Sequence, residues 1–520
     1  MSGPGARRRG TVYLVGAGPG DPGLITVRGR ELMARADVVI ADALVSAELL
    51  RGLRPDTELL KAGGAGGRRQ VGQERINRIM IARARRGLTV VRLKGGDPSL
   101  FGRIGEETEA LRAARIRFEI VPGVTAALGA AATAGIPLTH RRHASSVLFV
   151  TGHLDSSKPD PGIDWRGVAA AGTIVLYMGV ERLESIGRRL IAAGRDRRTP
   201  AALIRWATRS DQQVLEGTLA SIAGLARRAA FAPPALLVVG GVVGLRRAPG
   251  WFDRRPLRGR TILVTRPREQ AGAFTGLLEE EGARVIDLPA IEIRPPRSWA
   301  PLDRALARLE TFHLLIFTSA NGVARFFDRL SARRIDLRAL HGIDLVAIGP
   351  ATAAALTGRG LRVAAVPEEF RAEGIVRVLR RRALLGTRVL IPRAEAARDL
   401  LVRELRCRGA RVEVAPVYRT VPSREGVGEA RRMLRQGGVD LVTFASSSSV
   451  THFLGKFRDS GDRRRLRRLP AAAIGPITAR TARRAGFRVV VMPKRFTIPA
   501  LASAIVKKLR SSPSGTPRGS

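Results

Sequence analysis

Short apolar runs alternate with longer amphipathic stretches along almost the whole chain. The runs are rich in Val, Ile and Leu, as at residues 38–41 and 261–265, and the stretches between them are rich in Ala, Arg and Leu. Runs that are apolar at successive positions are typical of strands buried on both faces of a sheet. The pattern therefore predicts an α/β fold with largely parallel sheets.

The alternation is interrupted near the middle of the chain. Residues 248–258 contain Pro, Gly and charged side chains without periodicity, which is typical of a linker. We therefore predict one domain at residues 11–247 and a second at residues 259–510. Residues 1–10 are predicted to form a basic N-terminal extension, and the low-complexity residues 511–520 a disordered tail.

The second segment contains an internal duplication. Three pairs of motifs recur 127 residues apart and a fourth pair 126 residues apart: ILVTRPRE at 262 with VLIPRAEA at 389, LPAIEI at 288 with APVYRT at 415, LLIFTSANGVARFF at 314 with LVTFASSSSVTHFL at 441, and AIGPATAAAL at 347 with AIGPITARTA at 473. An ordered repeat of this kind predicts two similar α/β lobes. A cleft between two lobes is a common place to enclose a ligand.

Length and composition restrict the class of protein. The 520 residues are 45% hydrophobic, which is enough for full cores, and three or four compact units fit this length. No run approaches the ~20 apolar residues of a membrane span, and the apolar run after the N-terminus is too short for a signal peptide. We therefore expect a cytoplasmic protein. The single cysteine, Cys407, excludes an intrachain disulfide, and the six scattered histidines predict no metal site.

The net charge of +45 has three possible explanations. They are nucleic-acid binding, a polyanionic small substrate, and a general preference for Arg on solvated faces. The basic residues run the length of the chain, and aromatic residues make up 4%, which leaves few platforms for stacked bases. Nucleic acid is therefore the least favoured explanation, and the other two stay open together.

Glycine-rich turns follow three predicted strands of the first segment: GAGPGDP at 16–22, GGDPSLFGRIGEE at 95–107 and PGVTAA at 122–127. Such turns bring backbone N–H groups close to a ligand. The first turn is similar to the dinucleotide fingerprint GxGxxG, but Asp21 replaces the third glycine. Asp42 follows the next strand as a ribose-binding acid would, so NAD(P) remains an alternative on this turn alone.

Further motifs decide between these alternatives. In order along the chain they are GIPLTHR at 135–141, VTGH at 150–153, YMGV at 177–180 and IRWAT at 204–208. Together with GAGPGDP and GGDP they make residues 10–245 resemble the uroporphyrinogen-III C-methyltransferase branch of the tetrapyrrole methyltransferases. The resemblance implies two α/β subdomains, S-adenosylmethionine in the crevice between them, and a homodimer.

The same resemblance implies the contacts of the methyl donor. By motif match they fall on Pro19, Gly95, Gly96, Asp97, Leu100, Thr125, Ala126, Met178 and Ala207. Small residues let the backbone approach the donor, and Met178 offers a soft apolar contact near a sulfonium. Asp97 is suited to a ribose hydroxyl or an amino group.

The residues implied on the substrate side are Asp42, Lys61, Arg103, Glu106 and Arg141. Asp42 is implied as the proton acceptor and Lys61 as the proton donor, and an Arg-lined pocket suits a substrate with many carboxylates. The residues themselves leave local alternatives open. Asp42 is also placed to cap the next helix, Lys61 to be a surface residue, and Arg103 to pair with Glu106 or Glu107.

The motifs of the second segment are shorter: VTRPR at 264–268, FTSANG at 317–322, IGPAT at 348–352, PVYR at 416–419 and IGPIT at 474–478. They resemble uroporphyrinogen-III synthase over residues 258–508. The resemblance implies a two-lobed fold and the conversion of hydroxymethylbilane to uroporphyrinogen III with loss of water. Helix starts rich in Gly-Pro and Ser/Thr suit the carboxylates of such a substrate.

Tyr418 is the candidate that assists departure of the substrate hydroxyl, with an ordinary tyrosine at a strand end as the alternative. The residues expected in the cleft are Thr265, Arg266, Ser319, Asn321, Ser446 and Thr478. For residues 446–449 helix capping alone is an alternative.

The main hypothesis is a bifunctional enzyme of tetrapyrrole biosynthesis. It would cyclise hydroxymethylbilane to uroporphyrinogen III and methylate that product at C-2 and C-7 to precorrin-2, for siroheme or cobalamin. A methyltransferase for a later corrin intermediate is one alternative, which the fused synthase disfavours because its product is the earlier substrate. An Arg-rich nucleic-acid-binding protein with decayed enzyme motifs is the other, and the intact GGDP motif and Met178 argue against it.

Overall fold

A computed structural model describes residues 10–54, 56–62, 72–152, 162–370, 372–396, 399–423, 426–457 and 459–510. Almost all of the predicted N-terminal extension, and all of the predicted tail, lie outside these residues. The chain divides into two compact units. The first runs to Arg260 and includes Leu278–Arg284, and the second comprises Thr261–Leu277 and the chain from Val285 onward. Across the described residues, no helix combines the length and apolar character that a membrane crossing requires.

The first unit begins with a parallel five-stranded sheet. Its strands are β1 (Thr11–Gly16), β2 (Val38–Ala41), β3 (Glu58–Lys61), β4 (Val90–Lys94) and β5 (Arg117–Val121), in the order β3-β2-β4-β1-β5. Its helices are α1 (Val27–Arg35), α2 (Ala47–Leu50), α3 (Gln73–Arg85), α4 (Ile104–Ala113) and α5 (Ala126–Ala134). Residues of α1 pack on one face of the sheet, and residues of α3 and α4 on the other. This two-sided cover explains why the central strands are apolar at successive positions.

The second sheet of this unit is mixed. It contains β6 (Val147–Thr151), β7 (Thr173–Tyr177), β8 (Pro200–Arg205), β9 (Gln213–Thr218) and β10 (Ala235–Val239), in the order β6-β7-β10-β8-β9. The helices α6 (Trp165–Ala170), α7 (Leu183–Ala192) and α8 (Ile222–Arg228) accompany it. The pair β6–β7 is parallel, but β10 is antiparallel to β7 and β8, and β8 to β9. This sheet departs from the prediction of largely parallel strands, and for β8 and β9 the reason is that a turn as short as residues 206–212 can join only antiparallel neighbours.

The second unit contains two further five-stranded sheets, one in each of two lobes. The first sheet has the order β12-β11-β18-β19-β20, with β11 (Thr261–Val264), β12 (Arg284–Asp287), β18 (Leu441–Phe444), β19 (Pro470–Ala473) and β20 (Arg488–Val491). Its helices are α9 (Arg268–Glu280), α15 (Val427–Arg435), α16 (Ser447–Gly455), α17 (Ser460–Arg468), α18 (Pro476–Arg484) and α19 (Ile498–Arg510). We call this part the β11 lobe.

The other sheet has the order β13-β17-β16-β14-β15 and belongs to what we call the β16 lobe. Its strands are β13 (Ile291–Arg294), β14 (Leu314–Phe317), β15 (Asp344–Ala347), β16 (Arg388–Ala394) and β17 (Arg411–Pro422). Its helices are α10 (Ala300–Leu306), α11 (Ala320–Ala332), α12 (Pro350–Thr357), α13 (Ala372–Val378) and α14 (Leu400–Cys407). Strand β13 is antiparallel to β17, and the other pairs are parallel. The α/β fold class is thereby confirmed.

The cores of the two lobes repeat each other. In the β16 lobe the rings of Phe317 and Phe326 lie 5.4 Å apart at 79°. In the β11 lobe the rings of Phe444 and Phe453, which hold the equivalent positions of the duplication, lie 5.5 Å apart at 81°. The duplicated sequence thus gives duplicated aromatic packing.

The two lobes are nevertheless not the two repeats. Strand β11, from the first repeat, pairs in parallel with β18 of the second, and β16 of the second pairs with β14 of the first. Each repeat therefore starts in one lobe and ends in the other. This exchange was not predicted, because strands with the same apolar pattern are compatible with either partner.

Residues 248–258, predicted as a linker, pack within the first unit. Phe252 and Leu257 are buried. Asp253 accepts a hydrogen bond from the backbone N–H of Gly250 at 2.9 Å and pairs with Arg246 at 3.3 Å. The missing periodicity of this segment therefore reflects a series of turns with buried anchors.

Candidate active sites

Three loops at the carboxyl ends of β1, β4 and β5 pack against one another through glycine. Gly18 and Gly96 exchange two backbone hydrogen bonds, of 2.8 and 3.2 Å. A Cβ on Gly16 would lie 2.6 Å from Cα of Gly123, and a Cβ on Gly123 would lie 2.4 Å from the carbonyl oxygen of Gly96. Side chains cannot fit between backbones this close, so the loops form one tightly packed rim.

A cavity of about 640 Å³ lies beside this rim, within the size range of small-molecule sites. Its walls come from both sheets of the first unit and are mostly apolar. Four residues predicted to contact the methyl donor line it: Pro19, Ala126, Met178 and Ala207. Arg103, predicted on the substrate side, also lines it.

The other five predicted donor contacts do not line this cavity: Gly95, Gly96, Asp97, Leu100 and Thr125. Asp97 holds the rim together, because one carboxylate oxygen accepts the N–H of Ser99 at 2.7 Å and the other that of Gly123 at 2.9 Å. Their contact with the donor stays a prediction.

Backbone strain is concentrated around the cavity. Five non-glycine residues have φ between 51° and 67° and either line the cavity, follow a lining residue in the chain, or, for Phe101, contact the ring of the lining residue Tyr177: Phe101, Arg103, Met178, Trp206 and Thr208. Each such residue costs about 1–3 kcal/mol and persists where the surrounding structure enforces it. Clusters of this kind are typical of ligand sites. No pattern in the sequence pointed to this strain, because none of the five is glycine.

Tyr177 is a cavity residue that the sequence analysis did not single out. Its hydroxyl lies 2.7 Å from Oγ1 of Thr125 and accepts the N–H of Ala127 at 3.1 Å. Burial raises the pKa of Tyr177, so the hydroxyl keeps its proton at neutral pH. The side chain ties α5 to the second sheet, and its place before Met178 in the YMGV motif was the available signal.

Asp42 lies at the end of β2, with about one third of its side chain exposed. It does not cap the next helix, since Ser46 does so by accepting the N–H of Leu49 at 3.3 Å. The Asp42 carboxylate instead pairs with the buried guanidinium of Arg92. Lys61 is exposed at the end of β3.

Arg103 pairs with Glu106 of the same helix through two hydrogen bonds, of 2.9 and 2.6 Å, so the local alternative for this arginine is realised. That hydrogen bond raises the pKa of the Arg103 guanidinium. Arg141 is exposed and does not line the 640 Å³ cavity. It lines a separate open depression with Thr139, His140 and neighbouring residues. The structure therefore brings Arg103 to the wall of the first cavity, whereas Glu106 and Arg141 do not line it.

In the second unit, Tyr418 meets Ser319. The two hydroxyls lie 3.1 Å apart, and Ser319 also caps α11 by accepting the N–H of Gly322 at 3.0 Å. Tyr418 is 8% exposed, and burial raises its pKa. It lies inside β17, four residues before Pro422 at the end of the strand, so it is not a strand-end tyrosine.

A hydrogen-bonded chain links the two lobes beside these residues. Arg266 donates to Gln270 at 3.1 Å, and Gln270 donates to Asn321 at 2.7 Å. Burial lowers the pKa of Arg266, whose Nε atom has no hydrogen-bond partner among the described residues. The chain joins α9 of one lobe to α11 of the other through Gln270, which the sequence analysis missed.

Two of the predicted cleft residues make structural hydrogen bonds, and a third is buried in a helix. Thr265 is buried and donates to the carbonyl oxygen of Thr443 at 2.7 Å. Ser446 caps α16 by accepting the N–H of Ser449 at 3.1 Å, as its local alternative proposed. Thr478 is buried in α18. Their contact with a substrate stays a prediction.

Comparison with known proteins accounts for both units. A family model described as "Tetrapyrrole (Corrin/Porphyrin) Methylases" matches residues 11–223, and one described as "Uroporphyrinogen-III synthase HemD" matches residues 272–503. The porphyrin biosynthesis protein HemD of Ruminiclostridium josui is 36% identical over 486 residues, which are 93% of this chain and 95% of that protein. The uroporphyrinogen-III C-methyltransferase of Bacillus subtilis is 38% identical over 69% of this chain and 74% of its own length.

Further matches each cover about half of this chain. Siroheme synthase 1 of Yersinia enterocolitica is 50% identical over 49% of this chain and 54% of that protein. The solved uroporphyrin III C-methyl transferase of Thermus thermophilus is 38% identical, covers 45% of this chain and all of its own, and has a TM-score of 0.40. A solved uroporphyrinogen III synthase of the same organism is 22% identical, covers 49% of this chain and all of its own, and has a TM-score of 0.38.

Two enzyme domains on one chain define a bifunctional enzyme of tetrapyrrole biosynthesis. The chain belongs to the family of the R. josui porphyrin biosynthesis protein HemD, which it matches over nearly its full length, and in this chain a tetrapyrrole methylase domain is fused to a uroporphyrinogen-III synthase domain. The predicted family and the predicted pair of activities are confirmed. A methyltransferase for a later corrin intermediate and a nucleic-acid-binding protein are not favoured.

Proposed function

We propose that residues 259–510 cyclise hydroxymethylbilane to uroporphyrinogen III, and that residues 11–247 methylate this product at C-2 and C-7 to precorrin-2. The observation that carries the proposal is the presence of both domain types on one chain, because the product of one is the substrate of the other. Precorrin-2 would then feed siroheme or cobalamin.

The 640 Å³ cavity fits S-adenosylmethionine as the methyl donor. The donor, when bound, supplies an activated methyl group on a sulfonium, so the protein has to position it rather than activate it. Pro19, Ala126 and Ala207 give apolar walls, and the thioether of Met178, half exposed, offers a soft contact for the sulfonium. The tightly packed glycine rim would hold this arrangement in place.

The substrate of this half is an electron-rich pyrrole that must finally lose a proton. Asp42 is our candidate acceptor, because its carboxylate is partly exposed and held in place by Arg92. Arg103 lines the cavity with its guanidinium largely exposed, where it would meet a substrate carboxylate in exchange for Glu106. Lys61 and Arg141 are proposed as further substrate-side groups.

In the synthase half, departure of the substrate hydroxyl as water requires one proton. Tyr418 is the proposed donor, since burial keeps its hydroxyl protonated and Ser319 orients it. Arg266, buried and partnered by the neutral Gln270, would bind a carboxylate of the substrate. Ser319 and Asn321 lie near both groups along α11.

We further propose a homodimer formed by the first half and a cytoplasmic location. The homodimer follows from the family resemblance, and the location is the expectation from the sequence. Sedimentation of the full chain tests the first, with twice the chain mass expected.

Two half-specific variants test the proposal. Purified Tyr418→Phe should lose isomer III formation from hydroxymethylbilane but still transfer methyl groups from labelled S-adenosylmethionine to added uroporphyrinogen III. Asp42→Asn should show the reverse. In each sample the activity of the unaltered half is the control for the amount of intact protein. If wild-type protein leaves added uroporphyrinogen III unmethylated, the proposal for the methyltransferase half is wrong. If it converts hydroxymethylbilane to the uncatalysed isomer alone, the proposal for the synthase half is wrong.

A further inference from the structure

Four ionisable side chains form a cluster beneath the first cavity. Arg92 and Lys94 lie on the central strand β4 and are 2% and 3% exposed, and Glu107 on α4 is fully buried. Asp42 completes the cluster at its more exposed end. Charged groups are rarely buried in a sheet core unless they are paired, so two cations on one central strand require an explanation.

Glu107 is the centre of this cluster. Its Oε1 atom accepts hydrogen bonds from Nε of Arg92 at 3.0 Å, Nζ of Lys94 at 2.9 Å and Nε2 of Gln73 at 3.1 Å. Its Oε2 atom is buried without a hydrogen-bond partner in the part of the chain described. One carboxylate thus fixes two cations while half of its accepting capacity is unused, which is costly for stability alone.

Arg92 connects Glu107 to Asp42, because it forms hydrogen bonds with both carboxylates. Its Nε atom is held by Glu107, its Nη1 atom donates to the carbonyl oxygen of Ile40 at 3.3 Å, and its Nη2 atom donates to the Asp42 carboxylate. The guanidinium is therefore held on both sides. Loss of Glu107 would remove the acceptor of the Nε–H, which lies on the same edge of the guanidinium as the Nη2 atom that binds Asp42.

The cluster also adjoins residues that line the cavity. Leu44, two residues after Asp42, lines it, and so does Arg103, one helical turn before Glu107. A Cβ on Gly102, next to Arg103, would lie 3.2 Å from Cε of Lys94. The four ionisable groups therefore lie under the substrate side of the cavity.

The charges of the cluster balance, with two cations against two carboxylates. Burial lowers the pKa of Lys94, the nearby positive charge of Arg92 lowers it further, and Glu107 acts in the opposite direction. Removal of the Glu107 charge leaves one excess positive charge, and removal of Lys94 as well restores the balance.

We propose that Glu107 is a positioning residue which, through Arg92, holds the Asp42 carboxylate where it accepts the proton released in methyl transfer. The inference rests on the proposed role of Asp42. It extends the site inward to Arg92, Lys94 and Glu107, none of which touches the substrate.

The test compares Glu107→Gln, Lys94→Met and their double variant in the full chain. Glu107→Gln should lower kcat for methylation on the order of 100-fold, the size expected when a reacting group is misplaced by about 1 Å. The KM for S-adenosylmethionine and the affinity for S-adenosylhomocysteine should not change. The double variant should recover about 10-fold of the loss, because charge balance returns. Glu109→Gln, the same change at an exposed position of α4, is the matched control and should have no effect.

Affinity for S-adenosylhomocysteine reports on the folding of the first unit, and synthase activity of the same samples reports on the second unit alone. If Glu107→Gln does not fold, the charge-balanced double variant carries the test, and it must methylate within about 10-fold of wild type. The inference is overturned if Glu107→Gln keeps wild-type kcat, or if the double variant shows the product of the two single effects. Adding Glu107→Gln to Asp42→Asn should cause no further loss. A fully active Asp42→Asn would instead refute the proton acceptor of the proposed function, independently of Glu107.

Discussion

The two units build their candidate sites by different means. In the first, three glycine loops, a strained backbone and a buried cluster of charges surround one cavity, and each residue has a position-specific task. In the second, a duplicated framework offers the same helix starts twice, and Ser319 and Ser446 both cap helices. A site on a repeated framework must arise where the two repeats differ.

The differences between the repeats lie where the proposed chemistry lies. Tyr418 occupies the position that Ile291 holds in the other repeat. Arg266 is partnered by the neutral Gln270, whereas the equivalent Arg393 forms an ion pair of 2.5 Å with Asp399. That contact lowers the pKa of Asp399. The two equivalent arginines therefore have different partners, an amide for Arg266 and a carboxylate for Arg393, and the duplicated framework is asymmetric at this position.

The largest effect is expected at Tyr418, one of the positions where the two repeats differ. Tyr418→Phe removes the proposed proton donor, and kcat for isomer III formation should fall about 10²- to 10⁴-fold. Methylation of added uroporphyrinogen III by the same sample should stay at the wild-type rate. A synthase rate within about 2-fold of wild type would show that the repeats' difference at this position has no catalytic meaning.

The next effect concerns the glycine rim of the first unit. Gly123→Ala places a Cβ 2.4 Å from a backbone oxygen, so the loops must separate. We expect methylation to fall on the order of 100-fold and stability by about 1–3 kcal/mol, as measured by initial rates and denaturant unfolding. Gly105→Ala is the matched control, because a Cβ there meets nothing within 4 Å. Equal behaviour of the two variants would contradict a tightly packed rim.

A smaller effect is expected at Tyr177. Tyr177→Phe removes the hydrogen bonds to Thr125 and Ala127, which should cost about 1–3 kcal/mol in the stability of the first unit and raise the KM for S-adenosylmethionine. Tyr13→Phe, in β1, is the control for loss of a tyrosine hydroxyl in the same unit. An unchanged melting transition for both would show that the link from α5 to the second sheet is unimportant.

The smallest effect concerns pH: the synthase kcat should not fall on the basic side below the ordinary pKa of tyrosine. Burial raises the pKa of Tyr418, and the protonated hydroxyl is the proposed active form. Ionisation of the Tyr418 hydroxyl should therefore not lower the synthase kcat until the pH exceeds the ordinary tyrosine pKa of 10.0. A basic limb centred below pH 10 in wild type, and unchanged in Tyr418→Phe, would assign the limb to another group.

Particular residues show how much of the fold could be predicted from the sequence. The duplication predicted two lobes, but it could not predict that β11 pairs with β18, because the repeats share one apolar pattern. The largely parallel prediction failed where β8 and β9 form a hairpin. Phe252 and Leu257 were overlooked in a segment without periodicity, since isolated anchors in turns leave no periodic signal.

In the candidate sites, too, the residues within local motifs were predicted and those without a local pattern were not. The motifs predicted four residues that line the cavity, because the motifs themselves form part of its wall: Pro19, Ala126, Met178 and Ala207. Glu107, Tyr177 and Gln270 were missed as site residues, because their roles depend on partners on other strands and helices. Local sequence patterns do not predict which distant segments come into contact.

One measurement tests the central claim most directly. Hydroxymethylbilane and S-adenosylmethionine are supplied together to the purified protein, and the tetrapyrrole formed is identified by mass and isomer. The account predicts a type III macrocycle carrying two added methyl groups, with no other enzyme present. A type III product without added methyl groups, or a methylated product that forms only when uroporphyrinogen III is supplied, would contradict it.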